Sequence, residues 1–298
     1  MKKLSKLFLF FCFSIIAQFG FGQQENVTDK SGSTAIQYSA TTRHMWEIGL
    51  NGGFNIATGD IKWKPGFGGG IHIRRAIDNI FSIRLDGQYK NLKGFENSGP
   101  RNPDANNSIV LSDLGYGDGP GKVNWYHNYS TTLMTGSAQL LMSLNQFRFI
   151  KPNRTINPYV FVGVGGALSR VKTDAKDANG NIYQFTGKPS EGDLDGKYET
   201  DLAIEPANLG KNTFSPIADL GVGVAFKLSP RVNIGIEQKV NLLFGKSSDF
   251  IDGAQYRSTV DQTVNKDLIH STYIRLNFNI GNKEKMSEPL WWINPLDF

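Results

Sequence analysis

Cysteine is all but missing: Cys12 is the one cysteine in 298 residues, which excludes an internal disulfide framework and any cysteine-based zinc site. Histidine is scarce as well. His44, His72, His127 and His270 form no HxH or HxxxH pair, so metal-ligand spacing is absent and neither a metal nor another cofactor is expected. Only one apolar run approaches membrane length, and the mean hydropathy of −0.31 excludes a helical membrane protein. No dense Lys/Arg run occurs, so nucleic acid is excluded as a partner. Glycine is plentiful at 33 residues but has no triplet period, which excludes collagen-like structure. Phe (20) and Tyr (10) are too frequent for a disordered chain, and with 20% charged residues the mixture points to an all-β protein.

The one long apolar run opens the chain. Met1–Gly22 carries Lys2, Lys3 and Lys6, then an apolar stretch from Leu7, then the small residues Gly20 and Gly22. This is the three-part pattern of a secretory signal peptide, with cleavage expected after Gly22. A lipoprotein signal on Cys12 fits poorly, because Phe10 and Phe11 stand where small residues are needed. Without its three lysines the formal charge falls from +5 to +2, and no cysteine remains.

Beyond a segment at 23–45 the chain alternates apolar and polar residues with period two, the signature of strands. Eight such segments are expected: Trp46–Ile56, Phe67–Arg75, Phe81–Asn91, Tyr129–Ser143, Tyr159–Arg170, Ile217–Leu228, Val232–Lys246 and Leu268–Ile280. Phe81–Asn91 is the cleanest, with Phe81, Ile83, Leu85 and Tyr89 against Ser82, Arg84, Asp86, Gln88 and Lys90. Tyr159–Arg170 is apolar on both faces and rich in glycine, so its register stays open.

The links between segments alternate in length. Residues 76–80 and 229–231 make tight turns and 144–157 an intermediate one, whereas 57–66, 92–128, 171–213 and 247–267 are long and polar. A soluble β-sandwich has shorter strands and no reason for this alternation. The expected fold is an all-β, eight-stranded antiparallel transmembrane β-barrel over 46–281, with short periplasmic turns and long extracellular loops. An even strand count returns both termini to the periplasmic side, and such a barrel is expected in the outer membrane with its belt against lipid.

Inside so small a barrel there is just room for side chains. The inward faces place Glu47, Arg84, Asp86, Asp219, Glu237, Lys239 and Arg275 there, with Arg74, Lys90 and Lys227 beside them. Both signs occur in similar numbers, which fits a plug of paired charges better than the one-sign ring of a selective pore. Aromatic residues near strand ends read as membrane-boundary girdles: Trp46, Phe81, Tyr159, Phe226 and Phe278 on the turn side, Phe67, Tyr89, Tyr129 and Phe244 on the loop side.

Catalytic patterns are thin. His127 with Ser130 and His270 with Ser271 are the only nucleophile–base candidates, and neighbours on a strand face opposite ways. No catalytic residue is therefore assigned. Gly66–Gly70 and Gly163–Gly166 lack the helix a phosphate loop needs, and easing of a curved wall explains them better. Asp174–Asn181, DAKDANGN, has the flavour of a calcium loop without the closing Glu, so a solvated turn is expected, with Glu191, Asp193 and Asp195 as further possible ligands.

Several stretches together resemble the N-terminal eight-stranded barrel of OmpA-like outer-membrane proteins. They are Asn157-Pro158-Tyr159 opening a glycine-alternating strand, Gly221-Val222-Gly223-Val224 running through Leu228–Asn233 into the next, and the closing strand Tyr273–Ile280. The tail Glu288–Phe298, EPLWWINPLDF, resembles the segment after the barrel in large chains of that family. Such chains continue into a calcium-binding repeat linker and a peptidoglycan-gripping domain. This sequence stops at Phe298, where that continuation would begin, so no wall-binding residue carries over.

The tail at 282–298 is expected to be periplasmic, with Trp291 and Trp292 either anchoring at the bilayer rim or docking a partner. The expected role is non-enzymatic: envelope integrity, or a subunit meeting envelope protein partners through loops and tail. The rivals are an extracellular binding or adhesion module acting through loops 92–128 and 171–213, a small diffusion pore, and a lipid-modifying enzyme.

Overall fold

The computed structural model describes residues 46–77, 80–99, 109–117, 120–144, 155–185, 187–203, 208–229, 231–254 and 267–280. They fall within one compact unit, Thr41–Phe298. The expected signal peptide (1–22), the segment 23–45 and the tail 282–298 with Trp291 and Trp292 lie outside the described residues.

The strands are β1 (Trp46–Thr58), β2 (Trp63–Lys64), β3 (Gly66–Ala76), β4 (Phe81–Phe95), β5 (Asn128–Ser143), β6 (Ile156–Thr173), β7 (Thr200–Leu202), β8 (Thr213–Lys227), β9 (Val232–Leu243) and β10 (Leu268–Ile280). A single-turn helix, α1 (Ile109–Asp113), sits in the link after β4. Eight of the strands pair antiparallel in the order β4-β3-β1-β10-β9-β8-β6-β5, and β5 pairs back onto β4 to shut the ring. First and last strands meet in a full register from Trp46↔Ile280 to Thr58↔Leu268. The fold is thus a closed eight-stranded antiparallel barrel. Short β2 and β7 extend the wall on the loop side by pairing with β4 and β6.

Alternation decides what faces where. Leu50, Ile71, Leu85, Val162, Val222 and Ile274 are each more than half exposed and stand on the outer face of their strands. Water would not tolerate such a continuous apolar band, but the hydrocarbon of a bilayer matches it. The eight barrel strands are 11 to 18 residues long, enough for tilted strands to cross. No described helix is long and apolar enough to do so. The chain is a membrane-spanning β-barrel.

Boundaries shift at several strand ends: β6 runs from Ile156 to Thr173 and β8 begins at Thr213, each beyond the expected segment. β4 continues to Phe95, because Asn91–Phe95 go on pairing with β5 above the belt. β9 stops at Leu243, where Gly245 turns the chain with a φ of 100°. Two girdle assignments are corrected. Tyr159 and Tyr129 point into the barrel and are almost fully buried, since they share the inward parity of their strands. Trp46, Phe226 and Phe278 on the turn side, and Phe67, Tyr89 and Phe244 on the loop side, are exposed on the outer face.

Candidate functional site: a charged lumen beneath an apolar cap

The inward residues form three tiers. Nearest the turns, Tyr159 and Phe161 of β6 pack with Ala76, Leu141 and Ala225. These rings reach across to β8, where there is no side chain to meet them. A Cβ on Gly223 would lie 2.5 Å from Tyr159 Oη, and one on Gly221 would lie 2.5 Å from Phe161 Cε1. The Gly221/Gly223 alternation is therefore the socket for the aromatic pair on the neighbouring strand. Arg84 lies over the Phe161 ring, 4.7 Å from its centroid, and Arg74 over that of Tyr159 at 5.8 Å.

The middle tier carries the charge. Among the described barrel-strand residues, Arg74, Arg84, Lys90, Lys239 and Arg275 are buried with Glu47, Asp86, Asp219 and Glu237. Arg84 donates to Glu237 Oε2 through Nη1 at 2.7 Å and to Gln139 Oε1 through Nε at 2.6 Å. Arg275 donates to Glu237 Oε1 at 2.6 Å and to Asp86 Oδ1 at 3.2 Å, both through Nη2. Lys239 donates to Asp86 Oδ2 at 2.6 Å and lies 3.9 Å from Asp219 Oδ2. Asp219 also accepts from Ser137, Gln139 and Asn241. Tyr159 Oη donates to Glu237 Oε2 at 2.9 Å, tying this tier to the one below. Glu47 stands apart, accepting from Asn233 at 3.1 Å and facing Arg74 and His72.

The network has a direction. β4 and β9 are four strands apart either way round the ring, so they are diametrically opposite. Arg84–Glu237, Asp86–Lys239 and Lys90–Asn241 all join β4 to β9, as three struts crossing the full width of the lumen. Lys90 binds neutral groups only, Asn241 and Ser271, and sits over the Tyr273 ring.

The outermost tier is apolar and comes largely from the loops. Ile61, Leu111, Tyr116, Trp125, Phe250 and Ile251 pack onto the inward residues Leu92, Tyr129, Leu133, Val171, Leu243 and Ile269. Tyr116 meets Trp125 edge-on at 4.9 Å, and its hydroxyl donates to Ala175 O at 2.6 Å. These described loop residues thus fold inward as a cap, a core that has no period in the sequence.

Two buried carboxyls hold one side of this cap. Asp252 accepts the backbone N–H groups of Asp60, Ile61 and Ala254. Asp267 accepts those of Ile251 and Asp252. Both crowd Gly59: its Cβ would lie 2.6 Å from Asp252 Oδ2 and closer still to Asp267 Oδ1. Burial raises the pKa of both, and the nearness of Asp252 raises that of Asp267 further.

The remaining candidates disperse. His127 is buried beside Trp125, while Ser130 pairs on the outer face opposite Lys93. Ser271 is buried and bound to Lys90, whereas His270 is on the other face. In DAKDANGN, Asp177 accepts from the backbone of Asn179 and Asn181, and Asp174 from Tyr183 Oη and Gly196 N. Burial lifts the Asp174 carboxyl to about 6. Glu191 pairs with Lys64, and Asp193 caps its own turn through Ser190. Among the described residues, no three His, Asp or Glu side chains converge as a metal-binding group.

No protein-family model matches the sequence, and no curated protein does. Solved structures of similar shape include Neisserial surface protein A, with 11% identity over 78% of this chain and 96% of that one at a TM-score of 0.38. The attachment invasion locus protein Ail of Yersinia pestis is 9% identical over 79% of this chain and 98% of that one, at 0.36. The N-terminal β-barrel domain of Pseudomonas aeruginosa OprF is 11% identical over 79% and 97%, at 0.33.

Proposed function

We propose that this protein is a non-enzymatic barrel of the outer membrane that does not conduct, and that serves the envelope as a structural element or as a subunit contacting other envelope proteins. The observation that carries this reading is the set of three struts across the lumen, sealed on one side by the apolar cap. A path for solutes would have to break buried ion pairs, which costs several kcal/mol each, of order 3–5. Turns and termini face the periplasm in this reading and the long loops face outward, with the tail at Trp291 and Trp292 available to a periplasmic partner.

Two measurements test it. Purified protein in planar bilayers should give no discrete conductance steps, and regular steps in the wild type would overturn the closed lumen. In cells, removal of the gene should sensitise the envelope to detergent, and photo-crosslinkers at Trp291 or Trp292 should trap an envelope protein. Intact envelope resistance together with an absence of crosslinks would refute the structural reading.

A second reading has its own support. The described residues of loops 92–128 and 171–213 include Tyr116, Trp125 and Tyr183 packed or bonded together, which gives a platform suited to binding or adhesion. Deleting 187–197, where exposed residues dominate, should abolish binding to an extracellular partner while leaving the barrel folded. Unchanged binding would remove this alternative.

A further inference from the structure

Asp252 and Asp267 have no part in the lumen network, and their placement is costly. Both are almost fully buried, and among the described residues neither forms an ion pair. Two ionised carboxylates crowded against Gly59 without a counter-ion repel each other, so the closed site favours keeping a proton on one of them. The site is also a junction. It binds the backbone at 60–61 to the backbone at 251–254, and the second of these segments carries Phe250, Ile251 and Ala254 of the cap. Across the junction, Thr131 of β5 donates to Ile251 O at 2.5 Å.

We propose that Asp252 and Asp267 form a carboxylic acid–carboxylate pair that latches residues 249–254 over the loop-side mouth of the lumen, and that loss of the shared proton to solvent releases this segment. The latch is shut in acid and loosens as the medium becomes alkaline. Asp60, on the segment that the latch grips, and Asp249, beside Phe250, add negative charge and favour keeping the proton. From β5, the Tyr129 hydroxyl is near both carboxyls. His127 comes close on the far side, where its Nε2 would lie 3.6 Å from a Cβ on Gly253.

The sign follows from linkage. The closed site holds its proton more tightly than the open segment does, so closure is fully favoured below the ordinary Asp range. It weakens by up to about tenfold per pH unit above that range, until the closed site itself loses the proton. The test is amide hydrogen exchange of peptides covering 249–254, on the full chain in phosphatidylcholine nanodiscs from pH 5 to 9, corrected for intrinsic exchange. In the wild type, protection should fall at least tenfold across neutrality, while amides in β4 and β9 stay unchanged. Asp252→Asn, which cannot ionise, should flatten the profile, and Asp60→Asn should move its midpoint to lower pH. Should Asp252→Asn fail to assemble, Asp267→Asn is read the same way. A flat wild-type profile, or an Asp252→Asn profile equal to the wild type, overturns the latch.

Discussion

Glu237 is the knot of the lumen, and removing it is the sharpest test of how the interior is held. Its two oxygens accept from Arg84 at 2.7 Å, Arg275 at 2.6 Å and Tyr159 at 2.9 Å, with no exposure to solvent. Glu237→Ala cuts the Arg84 strut and leaves two buried guanidinium groups short of a partner. Arg84 keeps Gln139, and Arg275 keeps Asp86, so neither is stranded altogether. Breaking a buried pair by deleting one side costs about 3–5 kcal/mol, and the Tyr159 bond adds about 1 kcal/mol. Glu237→Gln preserves shape and an acceptor but loses the charge, and should fall between wild type and alanine. The assay is urea unfolding of the barrel in lipid vesicles, followed by tryptophan fluorescence and by the gel-mobility difference between folded and unfolded barrel. A loss of less than about 1 kcal/mol for Glu237→Ala, or equal losses for Ala and Gln, would refute the idea that paired charge holds the lumen.

Three further outcomes are expected. Gly223→Leu forces a side chain into the Tyr159 ring and should cost at least about 1–3 kcal/mol, and combining it with Tyr159→Ala should recover part of the loss; strict additivity in the same urea assay would contradict the socket. Val222→Lys, on the lipid face of the same strand, should cost about 2–4 kcal/mol in vesicles, and a neutral result would place Val222 away from lipid. Tyr183→Phe removes the hydroxyl that joins Asp174 to Asp195 N and should speed amide exchange at 194–197 without touching the barrel strands; unchanged exchange would show that the loop is held elsewhere.

Period-two alternation carried most of the architecture, because each strand has one face in lipid and one in the lumen, and no residue can belong to both. It failed where that contrast fades. β6 is apolar on both faces, so nothing in Tyr159–Arg170 alone distinguishes an inward tyrosine from a girdle tyrosine. The clue was on the neighbouring strand, in the side-chain-free positions Gly221 and Gly223. The inward charges could be named one strand at a time, but their partners could not. Arg84 and Glu237 lie 153 residues apart, and only ring closure brings them together. The cap and the Asp252–Asp267 pair were illegible for a different reason. Loop residues follow no period, and two aspartates 15 residues apart say nothing of burial until both are seen to bind the backbone at 251–254.

The three struts also bear on how such a wall is assembled and how long it lasts. β4 is laid down early in the chain and β9 late, so before the ring shuts two of the struts are pairs of bare ions and the third a lysine and an amide, each group holding its own water. The half-built sheet is therefore content to stay open: its apolar side is satisfied by lipid and its charged side by solvent. Shutting the ring is the step that strips the ions and joins them, and reopening it means wetting them again from a narrow, capped space. That asymmetry places a high barrier on the way out. A barrel built this way persists because the exit is slow, whatever depth its folded state has, and its lifetime is set inside the wall and not at the surface that meets the membrane.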